Sequence, residues 1–334
     1  MLRPDLLSHD LIPERDLVVH RSDELNEITQ AFDPVLDGRA PMNLFLFGPS
    51  GVGKTMTARI AVDELEQEAA VSTSYVNCWE TYERNDLLYT VTDELLTGET
   101  IHRQSTSRTE WLEKLGADPQ HPRIVILDEV DQLEDKKVLY ELHEKPALSL
   151  VCIANREEGL FSGMDKRTRS RVVIGNRIEF DDYSTSQLAS ILKKRIEQLS
   201  LINVVSDRQF ERIGSSSNGD ARIAITTLRL AIEAARSTSG RTDVTNQMIA
   251  EAVDQAENVL RLEHLDRLND FQQTLYEIVE DREPVSPGDI YDEYSERAVN
   301  PKTKRTIRSH LGKMVQYHII VERGSSQKKR YLVR

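Results

Sequence analysis

The sequence predicts an α/β domain built on a parallel sheet, then an all-helical segment, then a small module of helices closed by a β-hairpin. Three observations carry this. Short apolar runs alternate with helical segments through about Phe180, the alternation that builds a parallel sheet covered on both faces. From there to about Glu263 the runs stop and only helical periodicity remains. The chain then closes with "HIIVERGSSQKKRYLV", two short extended runs either side of Gly324. The expected division is residues 1–180, 181–263 and 264–334, and 334 residues with 39% hydrophobic content suffice for two or three cores.

In order, "MNLFLFGPSGVGKT" is an apolar run, Leu44 to Phe47, then a glycine-rich turn, then the periodic "MTARIAVDEL": strand, loop, helix. Further strands are expected at "TSYVNC", "RIVILDE", "LSLVCIAN" and "RIEF". In "YSTSQLASILKKRIEQL", Ser184 and Gln187 have capping-box spacing, and Leu188, Ile191, Leu192 and Leu199 share a helical face. The last part holds a helix around "LNDFQQTLYEIVE", a second opened by Ser286 and Pro287, and a third opened by Asn300 and Pro301.

Composition removes several function classes. No apolar stretch reaches the length of a membrane span and "MLRPDLLSHDLIPERD" lacks a signal-peptide core, so no membrane role and a cytoplasmic location are expected. Cys78 and Cys152 lie far apart, without metal-ligand spacing, and read as small buried residues rather than a disulfide or zinc site. Acids outnumber bases 56 to 43 and Arg well outnumbers Lys, a balance suited to a very salty cytoplasm. A net charge of −13 argues against a nucleic-acid partner, yet from Asn300 onward ten Lys or Arg face one acid, Glu322. Such segregation is expected of a basic binding module joined to an acidic body.

Two motifs carry chemistry. "GPSGVGKT" has the phosphate-binding spacing: Gly48, four residues (Pro49, Ser50, Gly51, Val52), then Gly53, Lys54 and Thr55, with Met56 continuing the helix. Glycines let the backbone turn its N–H groups inward at the positive end of the following helix. Lys54 would reach the β and γ phosphates of ATP, or the β phosphate of ADP, and Thr55 would ligate Mg. In "IVILDEVD" a buried strand, Ile124 to Leu127, delivers Asp128 and Glu129 at its carboxyl end, where parallel sheets bind ligands. Asp128 would hold the Mg shell and Glu129 would orient the attacking water. Asn155 ends the next strand and is either a water-polarising amide or a turn residue. Arg167, Arg169 and Arg171 crowd one segment, and Arg222 opens a helix.

The basic tail has a helical pattern of its own. Ile307, Leu311, Met314 and Val315 share one face, while Lys302, Arg305, Arg308, Ser309 and Lys313 share the opposite one. With Lys328, Lys329 and Arg330 on the hairpin, this suits a recognition helix in the DNA major groove and a wing on phosphates. Gly312, among the basic residues, is either a close-approach point or a tolerated helix defect.

The order "HRSDEL", "GPSGVGKT", "ILDEVD", "IAN", "RSR", "GDAR" and a basic, winged-helix-like tail resembles the archaeal Orc/Cdc-type replication initiators of the AAA+ superfamily, over nearly the whole chain. The resemblance implies a AAA+ P-loop domain, an all-α lid and a C-terminal winged helix. It matches Asn155 to sensor one, Arg222 to sensor two, Arg171 or another arginine of its triplet to a finger acting on a neighbour's ATP, and His20 and Arg21 to the motif beside adenine. It places the initiator-specific, DNA-touching insertion at Glu83 to Leu115. The function implied is an ATP-dependent, slowly hydrolysing switch that binds origin duplex DNA in the nucleoid, self-associates with ATP and helps load the replicative helicase. A DNA-binding regulatory paralogue and a AAA+ protein remodeller are the alternatives.

Overall fold

A computed structural model describes residues 7–96, 106–118, 121–162, 164–199, 204–237, 243–325 and 328–334. The chain forms two compact units, Met1–Ile249 and Ala250–Arg334.

The first unit opens with α1 (Ser22–Leu36), β1 (Asn43–Phe47), α2 (Lys54–Glu68) and β2 (Ser72–Asn77). After α3 (Arg84–Leu95) and α4 (Arg108–Leu115) come β3 (Arg123–Asp128), α5 (Lys137–His143), β4 (Leu148–Ala154), α6 (Glu157–Phe161), α7 (Lys166–Val172) and β5 (Gly175–Glu179). The strands form one parallel sheet in the order β2-β3-β4-β1-β5. Strand alternation explains the unbroken apolar runs. Leu44, Leu46, Ile124, Ile126, Val151 and Ile153 pack on the face covered by α1 and α2. Phe45, Phe47, Val125, Leu127, Leu150 and Cys152 pack on the other, against Leu87, Leu88, Val91, Trp111 and Leu139. Each central strand is therefore apolar on both faces. Cys78 and Cys152 are free and buried, as expected.

The segment anticipated as an insertion, Glu83 to Leu115, is part of this core: α3 and α4 bury Leu87, Leu88, Val91, Leu95, Trp111 and Leu115. Residues 97–105 of it lie outside the described residues. Arg123 fastens α4 to the sheet by donating to the carbonyls of Leu115 (3.2 Å) and Asp118 (2.8 Å).

After β5 come the helices α8 (Thr185–Gln198), α9 (Asp207–Ser216), α10 (Ala221–Ser237) and α11 (Asn246–Asp266), within which the two units divide. The Ser184/Gln187 capping box opens α8, and a second box at Ser206 and Gln209 opens α9.

The second unit continues with α12 (Asp270–Arg282), α13 (Pro287–Arg297), α14 (Lys304–Gln316), β6 (Ile320–Arg323) and β7 (Arg330–Val333). Ser286 caps α13 with Pro287 in its first turn. β6 and β7 pair antiparallel, and Val285 adds a bridge to Tyr331, giving a module of three helices and a small sheet. The third helix starts later than its sequence suggests. Asn300 and Pro301 precede it, and the Thr303 hydroxyl caps it by accepting from the Thr306 N–H at 3.2 Å. Thr303 satisfies an orphan helical donor that Asn300 is too far upstream to reach.

Candidate functional site

At the carboxyl edge of the sheet, the loop after β1 curls back on itself. Gly48, Gly51 and Gly53 all adopt positive φ (147°, 75° and 93°), which side-chain-bearing residues rarely adopt. Two of these positions are also closed sterically. A Cβ on Gly48 would lie 2.2 Å from the Phe180 carbonyl oxygen, and one on Gly51 would lie 2.0 Å from Asp220 Oδ1.

The Lys54 side chain is buried and folds back over this loop, donating to the carbonyls of Gly48 (2.7 Å) and Pro49 (2.6 Å). Its Nζ also lies 3.4 Å from Asn155 Oδ1. β1 and β4 are neighbours in the sheet, so the loop and the end of β4 meet at one edge. The other half of that amide, Asn155 Nδ2, is buried with no hydrogen-bond partner among the described residues. An orphan donor beside a buried ammonium fits an anion.

Beyond Lys54, Thr55 Oγ1 donates to Asp128 Oδ2 at 2.6 Å, and the Tyr75 phenol donates to the same oxygen at 3.2 Å. The Glu129 N–H donates to Asp128 Oδ1 at 2.9 Å. Burial and then the neighbouring Glu129 push the Asp128 carboxyl above the usual range. Burial and the Asp128 charge also raise the Tyr75 phenol, keeping it a hydrogen-bond donor. Glu129 stands in the left-handed region (φ 55°) at the turn after β3. A non-glycine residue held there is a strain that clusters at functional sites. A hydroxyl and a carboxylate beside a buried ammonium suit a divalent cation bound together with phosphate.

The helical segment closes over the loop. Asp220 precedes α10, and the Ala221 N–H donates to the Gly51 carbonyl at 3.1 Å. Arg222 pairs with Asp220 at 2.8 Å and donates to the Ser50 hydroxyl at 3.0 Å. Arg222 thus stands at the phosphate loop, 172 residues away in sequence from the Ser50 it touches.

Arg21 is buried, with Nε on the Val52 carbonyl (2.9 Å), Nη1 on Glu24 (2.7 Å) and Nη2 on the Asp181 carbonyl, its guanidinium 4.1 Å from the Tyr183 ring centroid. It braces the loop from behind with every edge engaged, while His20 is exposed with φ 64°. Val52 is fully buried and Met56 half-buried. Arg167, Arg169 and Arg171 are exposed on α7. Arg171 contacts the Tyr140 hydroxyl and lies 3.7 Å from Glu144, and Arg169 lies over the Phe161 ring.

In the second unit, α14 buries Ile307, Leu311 and Met314 and exposes Arg305, Arg308 and Ser309, as its pattern predicts, with Lys302 half-buried before it. Lys313 departs from that pattern, being only 2% exposed, with its Nζ 5.0 Å from the Tyr317 ring centroid. The buried arc is wider than its aliphatic residues mark. Thr306, His310 and Lys313, spaced four and three apart, extend it by one row, and the lysine stem packs while its ammonium meets an aromatic face. His310 packs on the Phe271 ring and accepts from Gln272 Nε2 at 3.3 Å through Nδ1. Burial and the Lys302 charge hold its pKa down at about 3.

On the wing, Lys328 and Arg330 are exposed, whereas Lys329 is paired with Glu322 at 2.6 Å, so the tail's one acid neutralises a cation expected to face phosphate. Three residues escaped the sequence reading. Tyr75 belongs to no spacing pattern, and Asp220 stands in "GDAR", of which only the arginine is given a role from sequence. Lys304 is exposed on α14 with Nζ 5.5 Å from the Tyr291 ring centroid, and its charge was a visible signal. A Cβ on Gly312 would meet nothing within 4 Å among the described residues, so this position of α14 is open.

Residues 38–157 match a family model described as an AAA domain. The ORC1-type DNA replication protein 9 of Halobacterium salinarum is 37% identical over 317 residues, covering 94% of this chain and 89% of that protein. The ORC1-type DNA replication protein 1 of the same organism is 38% identical, covering 91% and 98%. Among solved structures, the Aeropyrum pernix ORC1 protein in complex with DNA superposes with a TM-score of 0.72 at 23% identity, covering 99% of this chain and 92% of that one. At that identity the likeness establishes the fold. With the phosphate loop, the acidic strand end and the helical cover assembled as above, the two Halobacterium relatives settle the family: the chain belongs to the ORC1-type DNA replication proteins.

Proposed function

We propose that this chain is an initiator of DNA replication that binds ATP with Mg at the sheet edge, binds origin duplex DNA through α14 and its wing, and helps bring the replicative helicase to the origin. The observation that carries the nucleotide part is the convergence of Lys54, Thr55, Asp128, Asn155 and Arg222 on one loop, from four separate segments of the chain. Lys54 and Arg222 supply positive charge to the phosphates; Thr55 and Asp128 would hold Mg, which would supply neutralisation of the phosphate charge there. Asn155 Nδ2 supplies a hydrogen bond to the γ phosphate or the water, and Glu129 orients that water.

Arg222 and the Ala221 N–H tie the helical segment to the phosphate loop, so the state of the nucleotide is communicated to that segment through these contacts. Hydrolysis is then a slow switch rather than a motor stroke. The naming of the relatives as DNA replication proteins and the DNA complex of a structural neighbour support the DNA part of this reading, as does the exposed basic face of α14. ATP-dependent self-association would let an arginine of α7 complete a neighbour's site.

The test is genome-wide mapping of the DNA the full chain occupies, with the parent and the Glu129→Gln variant. Occupancy confined to replication origins and prolonged in the variant supports the initiator reading. Occupancy at promoters alone identifies a regulator of the same ancestry.

A further inference from the structure

Three donors from three elements meet on Asp128. Thr55, at the start of α2, and Tyr75, in the middle of β2, both donate to Oδ2, while the Glu129 N–H takes Oδ1. The roles of Thr55 and Asp128 follow from the phosphate-loop pattern and the acidic strand end, but Tyr75 belongs to neither motif. Its place comes from sheet register. Tyr75 lies opposite Ile126 on the parallel neighbour β3, and Asp128 is two residues further along on the same face. The phenol therefore reaches diagonally forward to the carboxylate.

The ring is held on this course. Arg59 of α2, one turn beyond Thr55, places its guanidinium 4.9 Å from the Tyr75 ring centroid, and the Tyr75 N–H donates to Glu94 at 3.2 Å. Donors on both oxygens fix the rotation of the carboxylate. That rotation matters because a hydroxyl offers its lone pairs to a cation most effectively when its proton is taken by a well-placed acceptor, here Asp128 for Thr55.

We propose that Tyr75 is a positioning residue for the divalent cation: it locks Asp128 in the orientation that accepts the Thr55 proton, and so sets how strongly nucleotide binding depends on Mg. This rests on the Mg–nucleotide reading of the site. Groups that orient metal ligands from outside are worth substantial metal affinity.

The test is a titration of the full chain with a fluorescent ATP analogue across a Mg²⁺ series and in EDTA. It compares the parent with Tyr75→Phe, Asp128→Asn and the double variant. Phenylalanine keeps the ring beneath Arg59 and deletes only the hydroxyl. The expected result is a Mg²⁺ half-saturation raised by about 10-fold in Tyr75→Phe, an unchanged affinity in EDTA, and no further loss when Tyr75→Phe is added to Asp128→Asn. Equal weakening with and without Mg²⁺, or additive losses in the double variant, would overturn the assignment. So would a Tyr75→Phe curve that overlays the parent's. A parent whose nucleotide affinity ignores Mg²⁺ would instead overturn the reading of the site on which the assignment rests.

Discussion

The phosphate loop of the first unit and the basic face of α14 in the second are both rich in positive charge, but they are built in opposite ways. At the loop the cations are held inside the protein: Lys54 is buried on backbone carbonyls, and Arg222 is braced by Asp220 and Ser50. On α14 Lys304, Arg305 and Arg308 project outward, with Arg308 and Lys304 only lightly held, by the Tyr291 hydroxyl and ring. The first arrangement loses little entropy on meeting a phosphate and excludes anything that does not fit. The second tolerates a long polyanion in several registers and depends on salt. A site for one small ligand is preorganised, whereas a surface for a polymer is left adaptable.

The largest expected effect tests the internal site. Glu129→Gln keeps the shape of the turn and removes the carboxylate, so hydrolysis should fall by roughly 10²–10³-fold while ATP affinity stays within a few-fold, as a phosphate-release assay and an equilibrium titration would read. Parent-like turnover would reassign Glu129 to the turn alone.

On the outward surface the changes are smaller and separable. Arg305→Ala and Arg308→Ala should each weaken specific duplex binding by about 1–3 kcal/mol and relax sequence preference. Lys313→Met should leave DNA affinity unchanged and alter only thermal stability, because that side chain is buried; a loss of DNA affinity matching that of Arg305→Ala would contradict this placement. Lys328→Ala should lower the slope of log affinity against log salt by about one, and Lys329→Ala by less, since Glu322 already neutralises it.

A pH effect separates the units further. The His310 pKa is depressed to about 3 by burial and the Lys302 charge, below its ordinary 6.5. As pH falls below 6.5 the unfolded chain takes up a proton that the folded module refuses. The stability this contributes is therefore present above 6.5 and is lost progressively towards 3. Urea unfolding of the full chain at pH 7 and 5 should show this loss, and His310→Leu should reduce the difference.

The two regions also differ in how far their sequence could be read. "GPSGVGKT" and "ILDEVD" were legible because the chemistry dictates backbone geometry: positive φ at Gly48, Gly51 and Gly53 and a strand end at Asp128 admit few alternatives. The strands were legible because burial on both faces leaves unbroken apolar runs. Tyr75 was not, because its role arises from sheet register, which no local spacing encodes; "GDAR" marks the segment of Asp220, but its contact with the loop arises from the docking of α10. Lys313 was misplaced for a related reason. Helical spacing sorts residues by type, and a lysine whose stem packs and whose ammonium meets Tyr317 belongs to the core in spite of its charge.

The most direct test of the account is an equilibrium ATP titration of the parent and Lys54→Ala in Mg²⁺. Lys54 is the buried cation around which the loop is folded, and its removal should lower ATP affinity by about 100-fold or more, with a charged hydrogen bond lost from each phosphate it serves. Parent-like ATP affinity in Lys54→Ala would contradict the assignment of the sheet edge as a nucleotide site, and with it the switch proposed to govern DNA binding.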